Sequence, residues 1–150
     1  IDNEIYFDMA SFSGYLQGTG TTSSQGLELS GETAFLTHWR LLANITWNET
    51  ESNTKQQRPY RPEWAAASTL LWQDRSVVAA LTARFTRDSV DTFGAPMPNT
   101  ERLDASVALN VTQSLRVTAR IENLTDNQDA QVRDYNQIPR AAYLGLRYSI

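Results

Sequence analysis

With 150 residues the chain is long enough for one ordinary domain, and a net charge of -4 leaves no basic stripe with which to displace counterions from a nucleic acid. The absence of Cys excludes disulfide scaffolds, thiol catalysis and Cys-based zinc sites. No stretch approaches the roughly 18 consecutive apolar residues of a transmembrane helix, a test that a membrane β-barrel escapes because only every second residue of its strands need be apolar.

In chain order, Ile5, Phe7 and Met9 alternate with Glu4, Tyr6 and Asp8, which predicts a short strand over residues 1–8. Residues 11–24, rich in Ser, Thr and Gly, read as a loop with room for an extra hairpin at Tyr15-Leu16. From Gly26 the phase is clear: Leu27, Leu29, Gly31, Thr33 and Phe35 point one way, Glu28, Ser30, Glu32 and Ala34 the other, and a short connector follows at Leu36-Thr37-His38. Trp39, Leu41, Ala43, Ile45 and Trp47 then share a face against Arg40, Leu42, Asn44, Thr46 and Asn48. Its two Trp are eight residues apart, roughly 27 Å along a strand and less once tilted, close to the ~25 Å apolar band of an outer-membrane barrel. The next strand repeats the spacing with Trp64 and Trp72, so these four residues are predicted to form interfacial girdles, Trp39 and Trp72 at one edge and Trp47 and Trp64 at the other.

A long polar loop over residues 49–61 separates those two strands, and a tight turn at Gln73-Asp74-Arg75-Ser76 leads to Val77, Ala79, Leu81, Ala83 and Phe85, alternating with Val78, Ala80, Thr82, Arg84 and Thr86. A second long loop ends near Thr100; Leu103, Ala105, Val107, Leu109 and Val111 then oppose Asp104, Ser106, Ala108 and Asn110. After a tight turn at Gln113, Leu115, Val117, Ala119 and Ile121 face away from Arg116, Thr118, Arg120 and Glu122. The final strand sets Ala142, Leu144, Leu146, Tyr148 and Ile150 against Tyr143, Gly145, Arg147 and Ser149. Long loops thus alternate with short turns along eight predicted strands, the pattern of a membrane barrel, whereas a soluble Greek-key sandwich mixes loop lengths at both ends. The charged face, with Glu28, Glu32, Arg40, Arg84, Asp104, Arg116, Arg120, Glu122 and Arg147, would line the lumen.

Three segments carry a resemblance to a family: Ile121-Glu122-Asn123-Leu124-Thr125-Asp126, Tyr135-Asn136-Gln137-Ile138-Pro139-Arg140 and Tyr143-Leu144-Gly145-Leu146-Arg147-Tyr148-Ser149-Ile150. The chain resembles the TonB-dependent outer-membrane transporters, most closely the vitamin B12 (cobalamin) type. The first segment is similar to the family's Asn-Leu-Phe-Asp, with Thr125 at the aromatic position, and the second to its Tyr-Asn-x-Pro-Gly-Arg turn without the Gly. In the third, Gly145, Tyr148 and Ile150 resemble the C-terminal assembly signal read by the barrel-assembly machinery. The resemblance implies an all-β transmembrane antiparallel barrel, of which residues 1–150 would be the C-terminal eight strands of 22, with the plug, the TonB-contacting box and the first fourteen strands missing. It also implies residence in the outer membrane of a Gram-negative bacterium, with lipid, the remaining strands, the plug and, through the plug, TonB as partners.

No catalytic constellation is present, so no enzymatic activity is expected, and neither a cofactor nor a metal site. The lone His38 lies in a turn; Asp88, Asp91 and Asp104 are too scattered to predict a calcium site. Capture of cobalamin or a related chelate would fall to outer-loop residues, with candidates Tyr60, Arg61, Asp91, Phe93, Asp134, Tyr135 and Asn136, because an aromatic beside a hydrogen-bonding group suits a large amphipathic ligand. The alternatives left open are a self-contained eight-stranded structural barrel, an outer-membrane barrel enzyme and a soluble β-sandwich.

Overall fold

The computed structural model describes residue 2 and residues 5–8, 10–52 and 54–149. Period-two alternation becomes strands β1 (Ile5–Phe7), β2 (Tyr15–Gln17), β3 (Ser23–Phe35), β4 (Trp39–Glu51), β5 (Trp64–Gln73), β6 (Val77–Arg87), β7 (Thr100–Asn110), β8 (Leu115–Glu122) and β9 (Ala141–Tyr148). Strands β3 to β9 form one seven-stranded antiparallel sheet in chain order. The described residues contain no helix.

Two details depart from the alternation read along the chain. Among the described residues the first strand takes no place in the wall: β1 pairs there with β2 alone, from Ile5↔Gln17 to Phe7↔Tyr15, with a further bridge at Asp2↔Thr21. The eight predicted strands are therefore seven wall strands plus this short β1, which reaches only the residues just ahead of β3 and stands at the long-loop end. Ile1, Glu4, Met9 and Ile150, which entered the predicted strands, lie outside the described residues. The second departure is length. Strand pairing runs past the apolar pattern, as at Ser23↔Glu51, Ser24↔Thr50 and Gln25↔Glu49, and β7 begins at Thr100 rather than Leu103. Alternation reports only the part of a strand that has an apolar environment, while backbone pairing continues into water.

The register carries one side-chain phase across the whole sheet. A single rung joins Thr33, Leu41, Leu70, Leu81, Ala105, Ile121 and Ala142 on one face. That rung lies two residues from the start of β4 and six from the start of β8, a drift of four residues over four strand steps. One residue per step is ~3.3 Å against a strand spacing of ~4.8 Å, a tilt of about 35° in the range of closed barrels.

Burial decides between membrane wall and soluble domain. The accessible surface is 11039 Å², whereas a globular protein of 16.9 kDa exposes about 7,700 Å² by the usual size scaling. Among the described residues Met97 is the sole buried apolar side chain, while Leu144, Leu146, Leu27 and Leu29 are 86%, 79%, 70% and 67% exposed. A soluble sandwich would have covered that face with a second sheet, and no described element does so. The sheet is also open: β9 pairs with neither β1 nor β3, so the eight-stranded closure is not formed among the described residues.

Candidate functional site

The polar face owes its order to neighbouring strands that place acids beside bases. Arg40 Nε lies 3.2 Å from Glu32, and Arg84 pairs with Asp104. Arg102, which lies between the predicted loop and the first apolar residue of the alternation, reaches Asp104 at 2.9 Å and Glu122 at 3.2 Å, and Arg120 joins Glu122 at 3.4 Å. The Arg120 guanidinium also sits 4.3 Å over the Tyr143 ring. Arg84 and Arg102 stand directly opposite each other, an arrangement made tolerable by the shared Asp104. The result is a continuous ladder of charge from β6 to β8 that ends on the Tyr143 ring of β9.

At the long-loop end three connections are tied into one assembly. Tyr60 N–H donates to the Val90 carbonyl at 2.7 Å and Glu63 N–H to Asp88 at 3.1 Å, joining the loop after β4 to the loop after β6. Tyr60 holds a φ of 57°, a left-handed backbone uncommon for an aromatic residue and kept here by that bond. Arg133, from the loop after β8, lies 2.5 Å from Asp91. Asp91 is fully buried, and its Oδ1 accepts from the N–H groups of Phe93 at 2.8 Å and Ala95 at 2.9 Å. Burial alone would raise this carboxyl; the Ala95 and Phe93 N–H groups and the Arg133 guanidinium outweigh it and hold the group below its ordinary 3.8.

The two loop motifs of the C-terminal third meet at Asn123, which is 3% exposed. Its Nδ2 donates to the carbonyls of Asn127 at 2.8 Å and Ile138 at 3.1 Å, its Oδ1 accepts from Asn127 N–H at 3.0 Å, and its own N–H donates to Asp104 at 2.9 Å. Arg140 N–H donates to Asp126 at 2.8 Å. One buried amide with a φ of 52° thus closes the neck of the loop after β8 and hangs it on the charge ladder.

The seven candidate capture residues are distributed over this assembly. Phe93 and Tyr135 are 84% and 72% exposed, Arg61, Asp134 and Asn136 are exposed, and Tyr60 is half-buried. Asp91 points inward, toward Arg133 and its own loop's backbone. Residues that the alternation did not single out are Asn123, Arg102 and Arg133; the likeness of the Asn123 segment to the family's Asn-Leu-Phe-Asp was the available signal for the first. A second exposed group is the aromatic cluster of the β1–β2 hairpin, where Phe7 contacts Phe12 and Tyr15 with ring centroids 6.0 and 5.6 Å apart. The four Trp come together as pairs, Trp39 directly opposite Trp72 and Trp47 opposite Trp64, with Phe35 stacked on Trp39. Gly145 faces Thr118, whose Oγ1 lies 2.6 Å from where a Cβ would stand; Tyr148 is 70% exposed. His38 Nδ1–H donates to the Gln73 carbonyl at 3.0 Å and links two short turns. Among the described residues no cluster of His, Asp and Glu could hold a metal, and Asp88, Asp91 and Asp104 are not brought together.

A one-layer antiparallel sheet with an uncovered apolar face, a charge-laddered opposite face and all long loops at one end is the wall of a membrane β-barrel. The family is a matter of comparison: the model described as TonB dependent receptor-like, beta-barrel matches residues 1–124, and the chain belongs to that family. Its fold is similar to the copper transporter OprC, with a TM-score of 0.82 at 15% identity over 99% of this chain and 26% of that one. It is also similar to the siderophore receptor PiuA from Acinetobacter baumannii, at 0.76 and 17% identity over 91% of this chain and 23% of that one. The ferric-catecholate import receptor Fiu of E. coli K12 in its closed form follows at 0.73 and 18%, over 98% and 23%. The chain therefore spans about a quarter of the length of these structures. Comparison with curated protein sequences gives no match.

Proposed function

We propose that this chain supplies part of the wall and the outer loops of a TonB-dependent importer in the outer membrane of a Gram-negative bacterium, taking up cobalamin or a related metal chelate. The observation that carries the reading is the joining of three long loops, through Tyr60–Val90 and Asp91–Arg133, at the mouth of a charge-lined face. Such a platform, with Phe93 and Tyr135 exposed on it, suits a large ligand with both apolar and hydrogen-bonding surface. The likeness of the segments 121–126, 135–140 and 143–150, taken together, to the cobalamin type supports a corrinoid, and the copper and siderophore proteins of similar fold support a metal-bearing cargo in general. On this reading lipid covers the apolar face and its Trp girdles, and the remaining strands and the plug complete the receptor. TonB acts through the plug, and the barrel-assembly machinery reads Gly145, Tyr148 and Ile150.

The test is titration of the purified full-length receptor with cobalamin, a ferric catecholate and a copper chelate. Cobalamin is expected to bind at micromolar or lower concentration, and the pair Phe93→Ala and Tyr135→Ala to weaken it at least tenfold, about 1.4 kcal/mol. Tight binding of the catecholate instead would replace the cargo and keep the importer; binding of none would overturn both.

A further inference from the structure

Charge on the polar face is paired through the middle of the wall and left over at its edges. Arg40 of β4 has Glu32, Arg84 of β6 has Asp104, and Arg102 of β7 and Arg120 of β8 share Glu122. The polar-face charges of the strands with no ion-pair partner among the described residues are Glu28, Arg116 and Arg147. Glu28 belongs to β3, one edge of the sheet, and stands opposite Thr46. Arg147 belongs to β9, the other edge, and directly faces Arg116, whose neighbour on β7 is Asn110. Like charges so opposed repel. Arg75 lines the recess beside them, whose described lining contains no Asp or Glu. The pairs that do form share a geometry: Ala34 is opposite Arg40 and Arg102 opposite Arg84, while the acids Glu32 and Asp104 lie two residues from those positions on the same neighbouring strand.

We propose that the strand outside this chain that pairs with the open edge of β9 carries a carboxylate on its lumen side, within two residues of the position opposite Arg147, where it offsets the Arg116–Arg147 repulsion. The place of the leftover charges favours a wall strand over a segment filling the lumen. A filling segment touches interior and edge strands alike and would leave gaps anywhere on the face, whereas here they are confined to the edge strands and to Arg116 beside one of them. Opposite signs at the two edges do not make those edges partners of each other. Strands β3 and β9 run in the same direction, so their direct pairing would be parallel in a wall whose neighbours are all antiparallel. The proposal rests on the importer reading only for the presence of further wall strands, and the similar structures, of which this chain covers about a quarter, leave ample polypeptide for them. A guanidinium holds such a carboxylate in paired, charge-assisted hydrogen bonds. The contact thereby fixes register: a slip of one residue sends the acid to the lipid face, and a slip of two carries it about 7 Å along the strand.

The experiment is zero-length coupling with a carbodiimide in the full-length receptor in outer-membrane vesicles, with Arg147→Lys presenting the amine. Cross-linked peptides are mapped by mass spectrometry against the unaltered receptor, and migration of the unheated receptor on detergent gels shows that the barrel is folded. The amine is expected to couple to an acid of the wall strand to which Leu146→Cys forms a disulfide in a cysteine scan. Coupling to a lumen-filling domain or to Glu28, or no coupling in a folded barrel, overturns the proposal. A double-mutant cycle supplies a second readout. Changing the coupled acid to its amide should speed unfolding in hot detergent about fivefold with Arg147 in place and less than about twofold in Arg147→Gln. Equal effects in the two backgrounds overturn the proposal. Cobalamin binding by the unaltered receptor is measured alongside, so that a failure here with binding intact falls on the strand contact alone.

Discussion

Gly26 and Gly31 lie five residues apart on β3, yet a methyl group would meet opposite fates at the two positions. At Gly26 it would stand 2.5 Å from the Trp47 carbonyl oxygen and 3.2 Å from Asn48 Cα, backbone atoms fixed by the β3–β4 register; at Gly31 it would meet nothing within 4 Å. Gly26→Ala is expected to destabilise by about 1–3 kcal/mol through overpacking and Gly31→Ala to be tolerated, measured by reversible unfolding of the full receptor in lipid. Asp91 supports a second prediction. Its folded carboxyl titrates below 3.8, so the stability it lends the loop assembly is present above that value and is lost as pH falls through the lower, folded one. Protection of the Tyr60 amide from hydrogen exchange, corrected for intrinsic pH dependence, should stay constant from neutral pH down to about 4 and fall only in more acid solution. In Asp91→Asn the protection should be low at every pH; unchanged protection in that variant would show that Arg133 and Asp91 do not hold the loops together.

At the scale of the strand, the rung from Thr33 to Ala142 says which substitutions the bilayer will feel. Leu109 and Leu144 stand on the apolar face and Ser106 and Thr118 on the charged one. Arg at Leu144, in the middle of β9, should cost roughly 2–4 kcal/mol, Arg at Leu109, one residue from the end of β7, about 0–1 kcal/mol, and Arg at Ser106 or Thr118 less than at Leu144; a penalty at Leu144 no larger than at Thr118 would reject the phase. The same phase predicts that brominated lipids quench the paired Trp39 and Trp72 from one leaflet and Trp47 and Trp64 from the other. This phase was legible in the sequence because a strand's side chains alternate without exception, so one well-patterned strand such as β4 constrains the neighbours it pairs with. What the sequence did not disclose depends on where a chain turns. Asp91 and Phe93 look alike as loop residues, but two backbone N–H groups and a guanidinium from another loop draw the first inside while the second stays out. Arg102 precedes the first apolar residue of β7 and so lacks the alternation that marks a strand, although its pairing with Arg84 is as regular as any. Asn123 carries a signal only through family likeness; its role as a four-bond hub comes from segments fifteen residues apart in the chain, which periodicity cannot join.

For the molecule as a whole, the decisive feature is that the wall has two ends. Strand β3 presents 13 residues and β9 presents eight with one side of each unpaired among the described residues. In hydrocarbon each unsatisfied backbone group costs several kcal/mol, so both edges must find partners. Direct closure of these strands on one another would make a narrow barrel whose lumen would have to bury the ladder of Arg84, Asp104, Arg102, Glu122 and Arg120, together with the unpaired Arg116 and Arg147. Desolvating that many charges outweighs what their mutual attraction returns, whereas a wide barrel leaves the face wet or in contact with a filling domain. The expectation is that in the assembled receptor β3 and β9 each pair with a strand from outside this chain. Disulfide formation checks it, since a bridge requires Cα atoms about 4.4–6.8 Å apart: Leu146→Cys combined with Phe7→Cys, or with Leu29→Cys on β3, should give no bridge in the full-length receptor in membranes, while Leu146→Cys should bridge to a cysteine scanned along the receptor's first barrel strand. A bridge from Leu146→Cys to either position within this chain would mean that the edges seal on each other, and would replace the segment of a large importer with a small closed barrel.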